Sequence, residues 1–150
     1  MAMSGVNVSD VIVDKFNEMK LKHTISCLML KIDVDKTKEI VIEKEWAKGE
    51  LTFDALIKEL PKNEPRYIYY DYDYVKTEDQ EGSQQLTTRN SKIVFIHWSP
   101  DSTSIKPKML YASSKDAIKK AVQGVQVEIQ ANDLDELTSS EIESKLLKKA

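Results

Sequence analysis

Three groups of side chains in this sequence have the type or spacing for chemistry. Asp71 and Asp73 stand two apart in Arg66–Tyr74; on a strand both carboxylates share one face, where they could begin a metal site or an acid/base couple. No histidine or third carboxylate joins them at a diagnostic ligand spacing, so the pair reads as structural. His97 ends an apolar run and could serve catalysis with Cys27 or an aspartate, but no nucleophile elbow or charge-relay motif accompanies it. A lone histidine in a strand reads as a hydrogen-bonded structural residue, and Cys27, inside an apolar stretch, as inert packing. Gly-rich phosphate loops, zinc spacings and EF-hand loops are missing. The pattern calls for neither an enzyme nor a cofactor.

What remains is a set of lysines. Lys106, Lys108, Lys119 and Lys120 surround Met109, an apolar anchor, and Lys92 forms a second basic group with Lys145 and Lys148. The chain has 150 residues with a net charge of −3, so these basic surfaces are local and nucleic acid is not the expected partner. That length suits one domain with a sizeable core. One cysteine leaves no internal disulfide and fits a reducing compartment. No apolar run approaches roughly 18 residues and no basic-then-apolar leader opens the chain. These features together predict a cytosolic single domain over 1–150 that acts as a monomeric binding module, with residues 1–7 a flexible tip.

The elements that must carry these residues follow from periodicity. Ser9–Lys20 reads as a helix capped by Ser9, with Ile12, Phe16 and Met19 along one side. Thr24–Ile32 reads as a strand buried on both faces, and Glu39–Glu43 returns beside it as a hairpin. Thr52 caps a helix in which Phe53, Leu56, Ile57 and Leu60 repeat, and Pro61 stops it. Arg66–Tyr74 is a strand with Ile68, Tyr70, Tyr72 and Tyr74 on one face. Val75–Asn90 reads as a loop, and Ser91–Trp98 as the clearest strand. Ser113 caps a helix running to Gly124, about 15 Å long. Its inner stripe is Ala117, Ile118, Ala121, Val122 and Val125, and Asp116, Lys119, Lys120 and Gln123 face outward. Gln126–Gln130 is a short strand. Thr138 and Glu141 make a capping box for a final helix whose inner side is Ile142 and Leu146.

The run Lys106–Lys120, reading KPKMLYASSKDAIKK, resembles the signature of the actin-depolymerising factor/cofilin family. The likeness continues through Ser4-Gly5-Val6, Lys15–Lys20, Ser91–Phe95, Trp98–Asp101 and Gln130-Ala131-Asn132, so it covers nearly the whole chain in order. It implies a single α/β (α+β) domain with a central mixed, mostly antiparallel sheet of about five strands and helices on both faces. It also implies a cytoplasmic, cytoskeleton-associated protein that binds actin monomers and filaments and promotes depolymerisation and severing.

Carried over residue by residue, the surface for monomers and filaments comprises Ser4, Gly5, Val6, Lys106, Lys108, Met109, Asp116, Lys119 and Lys120. The filament-only surface comprises Lys92, Lys145 and Lys148. Ser4 takes the place of the family's phosphorylation switch. Phosphoinositide headgroups are further expected partners of the basic clusters. A coactosin-like filament binder that does not sever, and a phosphoinositide-responsive signalling module, are the alternative readings. The chain departs from the family pattern in having Asn90 before Ser91-Lys92, a long Val75–Asn90 segment, a tail that ends soon after the last helix, and KIDVDKTK at Lys31–Lys38 where some relatives carry a nuclear import signal.

Overall fold

The computed structural model describes residues 6–35, 38–79 and 85–148, with the side chains of all of them except 76, 78, 79, 147 and 148. The elements are β1 (Asn7–Val8), α1 (Asp10–Lys22), β2 (Ile25–Asp33), β3 (Glu39–Ala47), α2 (Phe53–Glu59), β4 (Arg66–Asp79), β5 (Gln85–Trp98), α3 (Ile105–Ala121), β6 (Val127–Ala131), a single 3-10 turn (Leu134–Leu137) and α4 (Ser139–Lys148). The strands form one sheet in the order β1-β3-β2-β4-β5-β6. The three inner pairings are antiparallel, whereas β1 joins β3 and β6 joins β5 in parallel. A parallel neighbour needs a crossover, and α3 is the crossover between β5 and β6.

The alternation of β4 divides the core. Ile68, Tyr70, Tyr72 and Tyr74 pack with Phe53 and Leu56 of α2 and Ile142 and Leu146 of α4. Tyr67 and Tyr69 face the other way, with Ile12, Phe16 and Met19 of α1 and Tyr111, Ile118 and Val122 of α3. Helices therefore cover both faces of a single mixed α/β domain, as period-2 strands and period-3.6 helices require.

The mixed, mostly antiparallel sheet is the one expected, with a sixth, two-residue strand where Asn7–Val8 adds to β3; Asn7 N–H reaches Lys38 O at 3.3 Å. Four expectations change. Val6 belongs to the α1/α3 core at 3% exposure, so the end of the expected flexible tip is packed. The segment expected to be a loop, Val75–Asn90, instead continues β4 and β5 as a two-stranded arm, paired from Val75↔Arg89 to Asp79↔Gln85. Ser9 does occupy the N-cap of α1, but its side chain makes no capping hydrogen bond.

The largest difference is at α3, which begins at Ile105 with Ser104 as N-cap instead of at Ser113. Pro107 is its third residue, where the missing N–H has no intrahelical partner to lose, and the first turn closes with Lys108 N–H to Ser104 O at 3.2 Å. Ser113 lies mid-helix and its hydroxyl donates back to Leu110 O at 3.1 Å, a bond that lets serine sit inside a helix. Seventeen residues make α3 about 25 Å long.

Candidate binding surface

The residues first considered for catalysis do not converge. Cys27 packs with the α2/α4 side of the sheet, while His97 shares the alternation of Ile93 and Phe95 on the α1/α3 side, so the sheet itself separates thiol from imidazole. Burial pushes the Cys27 thiol up, away from the reactive thiolate. His97 is 2% exposed, and neither ring nitrogen has a hydrogen-bond partner among the described residues, contrary to the hydrogen-bonded role expected for it. Burial, reinforced by the Lys115 ammonium, lowers its pKa to about 4, so the ring is neutral at pH 7. Asp71 Oδ2 lies at hydrogen-bond distance, 2.7 Å, from His23 Nδ1, and burial raises its carboxyl above the usual range despite that partner. His23 is the C-cap of α1 with φ +55°, so the pair fastens the end of α1 to β4. No cluster of three or more metal-ligating side chains occurs among the described residues.

The helix α3 has a different character. Tyr111, Ser114 and Ile118 form its buried stripe. Tyr111 is held twice: its hydroxyl accepts from Ile32 N–H at 2.8 Å, and its carbonyl accepts from the Tyr67 hydroxyl. At about 100° per residue the opposite line runs through Met109, Asp116 and Lys120, with Ile105 on its shoulder. Met109 is 65% exposed and Ile105 74% exposed, and Asp116 and Lys120 are exposed as well. A methionine and an isoleucine held in solvent on a well-anchored helix, flanked by cations, have the make-up of a docking ridge.

The structure places the predicted site residues unequally. Lys106 and Lys120 are exposed, Lys108 is half-buried, and none of the three has a side-chain partner among the described residues. Lys119 is exposed, but its ammonium meets Glu128 Oε2 at 2.9 Å, while Lys115 takes Glu128 Oε1 at 2.7 Å. Val6 is buried and does not offer its side chain. Ser4 and Gly5 lie outside the described residues, as does the side chain of Lys148. Lys92 is half-buried; its ammonium donates to Leu146 O at 3.3 Å and lies 5.8 Å from the Tyr74 ring centre, tying β5 to the last turn of α4. Lys145 is exposed and shares with Lys119 the rim of a groove of about 470 Å³ floored by Phe95, Val122 and Val127. The two basic clusters thus approach each other at one end of α3.

Ile105 was not singled out from sequence, and one segment takes a different form from the one expected. Ile105 belongs to the ridge because α3 starts about two and a half turns earlier than expected; its position four residues before Met109 was the available signal. The β4–β5 arm was read as a loop, yet it presents Arg89, exposed and opposite Val75, while neighbouring Asn90 is half-buried and faces the other way. Arg89 therefore lies two positions before Ser91, on the face of the strand opposite Asn90.

Comparison with known proteins agrees over the whole fold. The family described as Cofilin/tropomyosin-type actin-binding protein matches residues 5–147. The chain is 41% identical over 143 residues to "Actin-depolymerizing factor 8" of Arabidopsis thaliana, covering 95% of each. It is 40% identical over 146 residues to "Cofilin" of Ogataea parapolymorpha, covering 97% of this chain and 95% of that one. Among solved structures, a Streptomyces griseoflavus cofilin superposes with a TM-score of 0.80 at 30% identity, covering 96% of this chain and 98% of that one.

Proposed function

The chain belongs to the actin-depolymerising factor/cofilin family, and from that premise we propose that α3 docks on an actin subunit through Ile105, Lys106, Lys108, Met109, Asp116 and Lys120, promoting filament disassembly. The observation that carries this is the exposed apolar pair on a helix whose other face is fully engaged in the core. Met109 and Ile105 gain by desolvation in a partner groove, and the flanking charges set register. The N-terminal tip, with Ser4 as a phosphorylation site and Gly5 beside it, would extend the same surface. A phosphate there adds about −1.5 to −2 charges, enough to oppose docking on an acidic surface.

A second contact, on the neighbouring subunit of a filament, would use Lys92, Lys145, Lys148 and the β4–β5 arm. A protein that bridges two subunits shifts the filament only by as much as it prefers one filament state, so severing needs no covalent chemistry. Lys106→Ala with Lys108→Ala should weaken monomer binding by about 1–3 kcal/mol. Lys145→Ala with Lys148→Ala should spare monomers and reduce co-sedimentation with filaments. Equal loss on monomers from both pairs refutes the two-surface arrangement.

A second reading has its own support. Lys119 and Lys145 line one groove, together with the Glu128 that pairs with Lys119, and a phosphoinositide headgroup that displaces this carboxylate would meet two ammonium groups there. Flotation with liposomes containing such lipids, with and without actin as competitor, separates the two. No described helix is long and apolar enough to cross a membrane, so any lipid contact there is peripheral.

A further inference from the structure

We propose that Glu128 masks Lys119: the β6 carboxylate takes one α3 ammonium on each oxygen and withholds Lys119 from an acidic partner surface, leaving Lys120 as the cation at that end of the docking ridge. The inference rests on the docking reading of α3 and refines which side chains serve it.

Helix geometry supplies the first support. Lys120 is eleven residues beyond Met109, about 20° from its line, whereas Lys119 is about 80° off it, toward the flank of Lys115. That flank faces β6, and Glu128 closes on it: Oε1 lies 2.7 Å from the Lys115 ammonium and Oε2 lies 2.9 Å from that of Lys119. Lys115 and Lys119 are four apart, so one carboxylate spans a full turn of helix. Lys120 is exposed and has no side-chain partner among the described residues.

Electrostatics agrees with the geometry. Burial alone would raise the Glu128 carboxyl, but its hydrogen bonds to Lys115 and Lys119 outweigh this and hold it below the usual range. The Lys119 ammonium is raised above the ordinary lysine value, chiefly by its hydrogen bond to Glu128. Glu128 lies on the β6 side of Lys119, and Asp116 adds a weaker attraction to the same ammonium. An acidic partner must displace Glu128 to use Lys119, and exposed pairs exchange at small cost. Glu128 therefore tunes affinity without touching the partner, by holding back one cation.

The test uses the full chain and needs two readouts. Glu128→Gln removes the charge and keeps the shape. Affinity for actin monomers should rise about two- to fivefold, the span of an exposed ion pair, and the salt dependence should steepen as a further cation joins the interface. In a Lys119→Ala background the same substitution should give no gain. A loss of affinity on Glu128→Gln, or a gain that persists without Lys119, overturns the mask. The second readout does not involve actin. Native-state labelling with an amine-reactive reagent, mapped by mass spectrometry, should modify Lys120 several-fold faster than Lys119 in the unaltered protein. Glu128→Gln should close that difference. Equal labelling of the two lysines in the unaltered protein overturns the proposal, even if Glu128→Gln fails to fold. Failure of actin to bind the unaltered protein overturns the docking reading instead, and the labelling ratio still decides whether Lys119 is masked.

Discussion

Acid should loosen this protein through His97, and the size of the effect follows from its surroundings. The ring is 2% exposed and 5.4 Å from the Tyr67 ring, feels the Lys115 ammonium more than the opposing Glu128 carboxylate, and has no hydrogen-bond partner for either nitrogen among the described residues. Burial disfavours the charged ring, the Lys115 ammonium adds to this and the Glu128 carboxylate offsets a part, so the pKa falls from 6.5 to about 4. In the unfolded chain the ring titrates near its ordinary value. Because the folded pKa is the lower one, the neutral ring's contribution is fully present above about pH 7. It is lost as pH falls through 6.5 toward 4, where the unfolded state binds the proton that the folded state refuses. Between pH 7 and pH 4 that fall corresponds to roughly 3 kcal/mol. His97→Phe removes the titration and fills the same apolar site. Urea denaturation from pH 7.5 to pH 4 should therefore show the variant gaining about 3 kcal/mol on the unaltered protein, with the gain appearing below pH 6.5. Taking the difference cancels other titrating groups such as Asp71. A difference that stays constant over that range would show that His97 is not held neutral by burial.

Three further outcomes follow from the same geometry. Tyr111→Phe strands the buried Ile32 N–H, whose acceptor at 2.8 Å is the lost hydroxyl; it should cost about 1–3 kcal/mol in urea denaturation. Thr138→Ala removes the hydroxyl that accepts from Glu141 N–H at 3.3 Å at the start of α4, with an expected loss of about 1 kcal/mol, read as a lower melting temperature. Ile105→Ala with Met109→Ala deletes only exposed apolar surface. It should leave the melting temperature in place and weaken monomer binding about tenfold or more by fluorescence titration.

Burial periodicity made much of the fold legible. Ile12, Phe16 and Met19 are all fully buried on α1, and the two faces of β4 point into two different cores. The missed features are those where burial says little. In the β4–β5 arm, Val75, Thr77, Thr87, Thr88 and Arg89 are all exposed, so its strands are held by pairing with each other and show no apolar alternation. Pro107 and the Ser113-Ser114 pair resemble boundary signals because both residue types favour helix ends. The backbone settles their meaning: Pro107 falls where no N–H is needed, and Ser113 bonds to a carbonyl three residues back. The Lys115–Glu128–Lys119 cluster was invisible for another reason, since it depends on which face of α3 meets β6 after the crossover.

The division of labour on α3 also explains why one helix can serve both stability and recognition. Its core stripe through Tyr111, Ser114 and Ile118 is nearly opposite the line of Met109, Asp116 and Lys120. A partner on that line removes no core contact and breaks no internal hydrogen bond. Docking can therefore draw on apolar desolvation without refolding the helix. The flanks are where the two roles meet, because Lys115 and Lys119 lie between the core stripe and the ridge. A carboxylate on the neighbouring strand is well placed there: it secures the helix by holding Lys115 and sets the charge of the ridge by holding Lys119. Substitutions at Glu128 should consequently change affinity more than stability, whereas substitutions at Tyr111 should do the reverse, and the ratio of the two effects measures how separate the faces are.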